Sequence, residues 1–366
     1  MKKVFLYAYD RQNLGDDLFI HTIVKRYPDV RFYLASDKKN KITFRCLPNL
    51  KVVDQKSFLM KMLQRIRGSL PARYLGILER RCEALVYIGG SIFMEYPQWA
   101  QYCVWWEYMA ETYPFYVLGA NFGPWHAEGY REKMNEVFGK MQDVCFRDCY
   151  SYGLFPGNEK VRYAPDILFS YPMPQLSVKK KQLFVSVINC ASRDESHKLD
   201  GADATYVRKM GRLLRSYREK GWNVVLSSFC QAEGDEEGVQ RIREAMQLPE
   251  DSGVTTLYYD GTNVDRITAE IAQSDYVIGT RFHSVILAMV AGRPVLPVAY
   301  SDKTLRVLED LGFTGEVFDL RKDTDWSFDR SLRNWANQSF SLPQDTVVAS
   351  QAHFEKLDSV LKRSSP

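Results

Sequence analysis

The chain has 366 residues, 45% hydrophobic and 26% charged, a globular balance that excludes fibrous and disordered classes. At roughly 100–200 residues per domain the length predicts two domains, large enough to fold without disulfides. A net charge of +4, dispersed along the chain, argues against nucleic acid as a partner, and apolar runs such as Val285–Val290 fall far short of the roughly 18 residues of a membrane span.

The opening residues, Met1 to Asp10, lack the apolar core and small-residue cleavage site of a signal peptide, so the expected compartment is the cytosol. The seven cysteines are scattered, and only Cys145 and Cys149 lie close together. No second pair or nearby histidine completes a zinc pattern, so no metal is expected. Cys46, Cys82, Cys103 and Cys190 read as small apolar side chains in a reducing compartment.

In chain order, Val4–Tyr9 reads as a buried strand followed by Asp10-Arg11-Gln12-Asn13-Leu14-Gly15-Asp16-Asp17 and a helix over Leu18–Lys25. Gly15 suits the tight turn, and Asn13 or Asp16 suits the helix cap. The loop is more polar than a cap requires, so ligand contact and capping stand level. It is not a GxGxxG fingerprint, which disfavours NAD. Lys56 to Arg81 then carries seven basic residues against one Glu79, with apolar residues at helical spacing. It reads either as a pair of surface helices or as a basic amphipathic patch on an anionic bilayer.

The runs Ala84–Ile88 and Phe115–Leu118 end in Gly89-Gly90-Ser91 and in the loop Gly119-Ala120-Asn121-Phe122-Gly123-Pro124. Paired glycines allow close backbone approach to a ligand, and their N–H groups can hold an anion. Cys145-Phe146-Arg147-Asp148 places an arginine after another short run, either facing an anion or paired at the surface. A boundary falls near residues 171–182, where Tyr171-Pro172-Met173-Pro174 can continue neither a helix nor a central strand.

Beyond it come Leu183–Ile188, Val224–Leu226, Tyr276–Ile278 and Val295–Val298. Runs this continuous suit parallel strands buried on both faces, and their alternation with helices predicts an α/β fold. The expected organisation is two Rossmann-like doubly wound domains facing a cleft, residues 1–175 and 176–335. A tail, 336–366, includes a helix over Pro343–Lys362 that packs back on the first domain. Ligands in such sheets bind beyond the carboxyl ends of the strands.

The sharpest element is Asp275-Tyr276-Val277-Ile278-Gly279-Thr280-Arg281-Phe282-His283-Ser284, then Val285–Ala291 and Gly292. It reads strand, turn, helix, with Thr280 as N-cap and Gly292 as the stop. Arg281 and His283 would occupy the first turn, where cations oppose the helix dipole at a cost of a few tenths of a kcal/mol unless an anion binds alongside. Such a local conflict marks a functional site. The other histidines, His21, His126, His197 and His353, offer no metal or catalytic spacing.

Taken together, Asn13-Leu14-Gly15-Asp16, Gly89-Gly90-Ser91, the Gly119–Pro124 loop, Arg147-Asp148 with Ser151, Ala164-Pro165-Asp166 and Gly279-Thr280-Arg281-Phe282-His283-Ser284 resemble the polysaccharide pyruvyl transferase family. Tyr300-Ser301-Asp302-Lys303 looks like a loosened form of the family's Tyr-Asp-Pro-Lys, with the Asp-Pro lost. The resemblance spans about residues 4–310 and leaves out 56–81 and the tail after 320. It implies a glycosyltransferase-B-like pair of domains, the first taking the acceptor and the second the donor. The implied reaction uses phosphoenolpyruvate, with no further cofactor, to place a pyruvate ketal on a saccharide of a surface polysaccharide or its lipid-linked precursor, releasing phosphate.

On that resemblance Arg147, Arg281 and Lys303, with Thr280, His283 and Ser284, would hold the donor. His283 is the natural general acid or donor to the departing phosphate. Asp16, Asp148 or Asp166 would deprotonate the acceptor hydroxyls. Asn13, Gly15, Gly89, Gly90, Ser91 and Asn121 would line the acceptor side, where Phe93, Tyr96, Trp99, Trp105 and Trp125 include candidates for stacking on sugar rings. Residues 56–81 would give a peripheral contact with the inner membrane face. Two other classes compete. A nucleotide-sugar glycosyltransferase would use Glu233, Asp235 or Glu236 on the ribose and bind UDP or GDP. A non-catalytic sensor would bind phosphoenolpyruvate without turning it over.

Overall fold

Two sheets made wholly of parallel strand pairs organise the chain. In the computed structural model, residues 1–54, 76–176, 180–192, 199, 201–249, 252–322 and 340–362 are described. The first sheet has seven strands, β1 (Lys3–Tyr7), β2 (Arg31–Ser36), β3 (Leu50–Asp54), β4 (Ala84–Ile88), β5 (Phe115–Ala120), β6 (Asp143–Phe146) and β7 (Val161–Tyr163), in the order β3-β2-β1-β4-β5-β6-β7. The second has six, β8 (Lys180–Val187), β9 (Asn223–Ser228), β10 (Val254–Tyr258), β11 (Ser274–Gly279), β12 (Val295–Ala299) and β13 (Phe318–Asp319), in the order β10-β9-β8-β11-β12-β13. In each sheet the order reverses beside the first strand, the doubly wound pattern.

The apolar runs sit where parallel strands must be covered on both faces. Every residue of β5 and of β12 is buried. Several strands escape the search for long apolar runs because they carry polar or charged residues, among them β2, β3, β7 and the edge strand β10. β1 stops at Tyr7 rather than Tyr9. Cys103 and Cys190 are buried as expected, but Cys46 is exposed and Cys82 half-buried. Most of the basic stretch 56–81 lies outside the described residues; in the part within them, Ile77 is exposed and Glu79 buried, its carboxylate accepting from the Tyr7 hydroxyl.

By compactness the chain forms two units, Met1–Asp10, Asp16–Ile167 and the tail from Val348, and Arg11–Gly15 with Leu168–Val347. The first unit has an aromatic core, with Phe93 4.9 Å from Phe138 and Phe122 4.9 Å from Phe155 between ring centroids. The second is built on aliphatic strand residues around the fully buried Tyr206. Helix α1 (Leu14–Arg26) begins after Gln12, whose φ of +50° turns the chain. Gly15 is therefore not the turn residue. Asn13 caps the helix, its Oδ1 accepting from Gly15 N at 3.1 Å.

The tail completes the first unit. Its turn Gln351–Phe354 and the helix Glu355–Leu361 are tied down by charged groups. Arg162, paired with Asp143 at 2.6 Å, donates to the His353 carbonyl at 2.8 Å. Asp358 accepts from Arg26 and from the Tyr27 hydroxyl, each at 2.6 Å. The His353 ring is wholly buried, with Nε2 3.0 Å from the Pro165 carbonyl. That contact suits a neutral imidazole donating to the carbonyl. Burial, then the charge of Arg162, pushes its pKa down to about 3 from an ordinary 6.5.

A depressed histidine pKa means the unfolded chain takes the proton first as pH falls. The His353 contribution is therefore present above about pH 6.5 and declines towards pH 3, by about 1.4 kcal/mol per pH unit. The stability difference between wild type and His353→Gln, from urea unfolding, should be constant from pH 7 to 8 and shift in favour of the variant at pH 5. A difference that stays constant down to pH 5 would contradict the buried neutral state.

Candidate active site

In the second unit the strand-turn-helix element is held by hydroxyl groups. Ser186, on β8, accepts from Thr280 N and Arg281 N at 3.0 and 3.1 Å, and its Oγ lies 2.6 Å from that of Ser284. The Ser284 hydroxyl in turn donates to the Arg281 carbonyl at 2.6 Å. The Thr280 hydroxyl meets the Tyr206 phenol at 3.1 Å, a group that burial keeps protonated. Thr280 is thus not the N-cap: helix α8 spans Phe282–Val290, and Arg281 holds the cap position with extended backbone. A serine in the otherwise apolar run Leu183–Ile188 was the available signal for Ser186.

Arg281 is buried, and each nitrogen of its guanidinium donates to a carboxylate. Nε donates to Asp235 Oδ2 at 2.7 Å, Nη2 to Asp235 Oδ1, and Nη1 to Glu233 Oε2 at 2.6 Å. Asp235 also accepts from the amides of Phe229 and Cys230, at 3.1 and 3.0 Å. Burial alone would weaken the arginine's charge, but Asp235 and then Glu233 outweigh it and hold its pKa well above the ordinary value. The conflict with the helix dipole, a few tenths of a kcal/mol, is small beside charge-assisted hydrogen bonds at about 1.5–3 kcal/mol each. The anion expected alongside Arg281 is supplied by the chain itself. The same pairing engages Asp235 and Glu233, two of the three residues expected to meet a nucleotide ribose.

His283 is half-buried in the first turn of α8. A Cβ built on Gly15 would stand 1.6 Å from its Nδ1, so only glycine at position 15 admits this ring position. The segment bearing Gly15 is fixed by Leu14 N donating to the Phe229 carbonyl at 3.0 Å and by a bridge between Asn13 and Cys230. Asn13, Gly15, Thr280, Arg281, His283 and Ser284 therefore belong to one neighbourhood. Lys303 is the second residue of another helix, Asp302–Asp310, with Nζ 5.7 Å from the Tyr300 ring centroid.

The first unit buries a second arginine beyond its strand ends. Arg147, 2% exposed, donates to Asp166 at 3.1 Å and to Asn121 Oδ1 at 2.7 Å. A Cβ on Gly90 would come within 2.6 Å of Nη2. Asn121 N donates to the Gly90 carbonyl at 2.8 Å, and the Ser91 hydroxyl reaches Asn121 at 3.2 Å. Gly90, Ser91, Asn121, Arg147 and Asp166 thus form one cluster. Asp148 serves elsewhere, accepting from Ser151 N at 2.8 Å as the cap of Cys149–Gly153. Asp16 is half-buried, its carboxylate 3.7 Å from where a Cβ on Gly89 would stand. Of the proposed sugar-stacking aromatics, Phe93 is buried in the core, whereas Tyr96 and Trp105 are exposed. Among the described residues no cluster of His, Cys, Asp or Glu could hold a metal ion.

Comparison with known proteins gives the following. The polysaccharide pyruvyl transferase family model matches residues 13–303. The amylovoran biosynthesis protein AmsJ of Erwinia amylovora is 23% identical over 301 residues, 73% of this chain and 70% of that protein. Among solved structures, the UDP-GlcNAc 2-epimerase of Methanocaldococcus jannaschii superposes with a TM-score of 0.61 at 9% identity, over 98% of this chain and all of that one. The Neisseria meningitidis UDP-GlcNAc 2-epimerase gives 0.59 at 12%, over 99% and 100%. Anabaena Alr3699/HepE, solved with UDP, gives 0.54 at 14%, over 99% and 98%. At these identities the likeness establishes the fold alone, the glycosyltransferase-B-like architecture.

Removing Arg281 would strand a fully buried Asp235 carboxylate. Arg281→Met should destabilise the protein by about 3–5 kcal/mol, and adding Asp235→Asn should recover a large part of that loss. Urea unfolding of the two single variants and the double variant measures the coupling, and additive losses would contradict a mutual pair.

Proposed function

Because the chain belongs to the polysaccharide pyruvyl transferase family, we propose that it transfers a pyruvyl group from phosphoenolpyruvate to two hydroxyls of a saccharide, forming a cyclic ketal and free phosphate. The observation that carries this reading is the half-buried His283 at the first turn of α8, seated against Gly15 and two residues from a preset arginine. A helix N-terminus that carries an imidazole beside a fixed arginine is chemistry for a phosphate and a carboxylate.

In the proposed reaction one sugar oxygen bonds to C2 of the donor while C3 gains a proton and becomes a methyl group. His283 supplies that proton, or protonates the departing phosphate. The C2–O bond to phosphate then breaks, and the second hydroxyl adds to the oxocarbenium-like carbon. Of the two protons released by the hydroxyls, one replaces that given to C3 and the other leaves with phosphate. The turn Thr280–Ser284, with Arg281, and Lys303 are assigned to the donor, and Arg147 is given a second anion-recognising role. Asp16, Asp148 or Asp166 is assigned the hydroxyl protons, Asp148 serving also as a helix cap and Asp166 pairing with Arg147. The Gly89-Gly90-Ser91 and Asn121 loops, with Tyr96 and Trp105 exposed nearby in the chain, are assigned to the saccharide.

Calorimetric titration with phosphoenolpyruvate, beside UDP and GDP, tests this reading. Phosphoenolpyruvate should bind, and His283→Asn should retain fold and most binding while lowering phosphate release on a saccharide acceptor by about 10²–10⁴-fold. UDP or GDP binding without phosphoenolpyruvate binding would replace the reading with a nucleotide-sugar glycosyltransferase.

The same reading places the protein in the cytoplasm, at the inner membrane face, through the basic stretch 56–81. The proposed contact is peripheral, through the basic and apolar residues of that stretch; no helix among the described residues is long and apolar enough to cross a membrane. Anionic vesicles should sediment the wild type and not Arg65→Glu/Arg67→Glu/Arg73→Glu; equal sedimentation would remove the membrane from the proposal.

A further inference from the structure

The two carboxylates on Arg281 are not equivalent. Asp235 is completely buried and holds Nε and Nη2 while accepting two backbone amides. It opens helix α6 (Asp235–Ala245), where a carboxylate is further stabilised by the helix dipole. Glu233 takes the remaining terminal nitrogen, Nη1, and its side chain is 24% exposed against 0% for Asp235. It ends a single turn, Gln231–Glu233, and is separated from Asp235 by Gly234 at φ +77°. Ser192 steadies that turn by donating to the Glu233 carbonyl at 2.7 Å.

We propose that Glu233 is a displaceable stand-in for the donor, its carboxylate holding the place on Arg281 Nη1 that an anionic group of phosphoenolpyruvate takes on binding. The inference rests on the donor reading above and adds a residue outside the motif that carries the resemblance. Its physical basis is the cost of leaving a buried guanidinium partly unpaired. With Asp235 alone, Nη1 would have no carboxylate in the donor-free protein; Glu233 provides one that swings towards solvent without disturbing Asp235. Every anionic ligand must first break this contact, so weak monoanions gain little while a donor with several charged contacts displaces it.

The measurement is titration of wild type, Glu233→Gln and Glu233→Asp with phosphoenolpyruvate, inorganic phosphate and pyruvate, each beside a thermal melt. Gln removes the competing charge, and Asp keeps the charge but shortens the reach. Both variants should bind phosphoenolpyruvate more tightly, Glu233→Gln by about tenfold, since one charge-assisted hydrogen bond no longer has to be exchanged. Tightening of phosphate or of pyruvate identifies which donor group takes Nη1. A merely structural glutamate would lower the melting temperature and weaken binding. Should Glu233→Gln fail to fold, Glu233→Asp carries the test. Unchanged or weaker phosphoenolpyruvate binding in the folded variants overturns the inference and leaves the donor reading standing. Absence of binding in wild type and variants alike overturns both.

Discussion

Taking a guanidinium out of water forfeits several kcal/mol of hydration, and doing so where a helix begins adds an unfavourable dipole. In the second unit both terms are offset by Asp235, which is itself buried and anchored to the amides of Phe229 and Cys230. The pair therefore ties the end of β9 and the start of α6 to the start of α8. Ser186 completes the arrangement from β8 by accepting the two amides at the turn. His283 takes its position from this frame, and Gly15 supplies the space for its ring.

The first unit meets the same problem by the same means. Arg147 is buried just after β6 and is neutralised by Asp166, with Asn121 as a further acceptor. Gly90 is to Arg147 what Gly15 is to His283: a position where even one methyl group would displace the side chain. These glycines are set by the bulk of a neighbouring side chain and not by backbone φ. Each unit thus places a fixed, neutralised arginine beyond the carboxyl ends of its parallel strands, where doubly wound sheets bind ligands.

Much of this was legible in the residues. Uninterrupted runs such as Phe115–Leu118 and Val295–Val298 identify central strands because burial on both faces leaves no alternation. The edge strand β10, with its half-exposed threonines, carries no such signature. The turn at Thr280–Ser284 could be picked out because two cations at a helix start contradict local electrostatics. What resolves the contradiction could not be read, since Glu233 and Asp235 lie more than forty residues away and their approach depends on the order of β8, β9 and β11. The role of Gly15 was hidden for the same reason, as glycine in a polar loop suggests a turn while the turn itself falls to Gln12. Thr280 looks like a cap, yet its hydroxyl is bonded to that of Tyr206, on the helix Ala202–Glu219.

Chain connectivity has a consequence for synthesis. The first unit contains Asp16–Ile167 but is finished only by the tail from Val348, whereas most of the second is the single stretch Leu168–Val347 between them. At about 5–20 residues per second, ribosomes need roughly 10–35 s to make that stretch. Throughout that interval Arg26 and Tyr27 wait for Asp358, and Pro165 for His353. The usual order, in which the N-terminal unit is completed first, is reversed: the unit begun first is closed last.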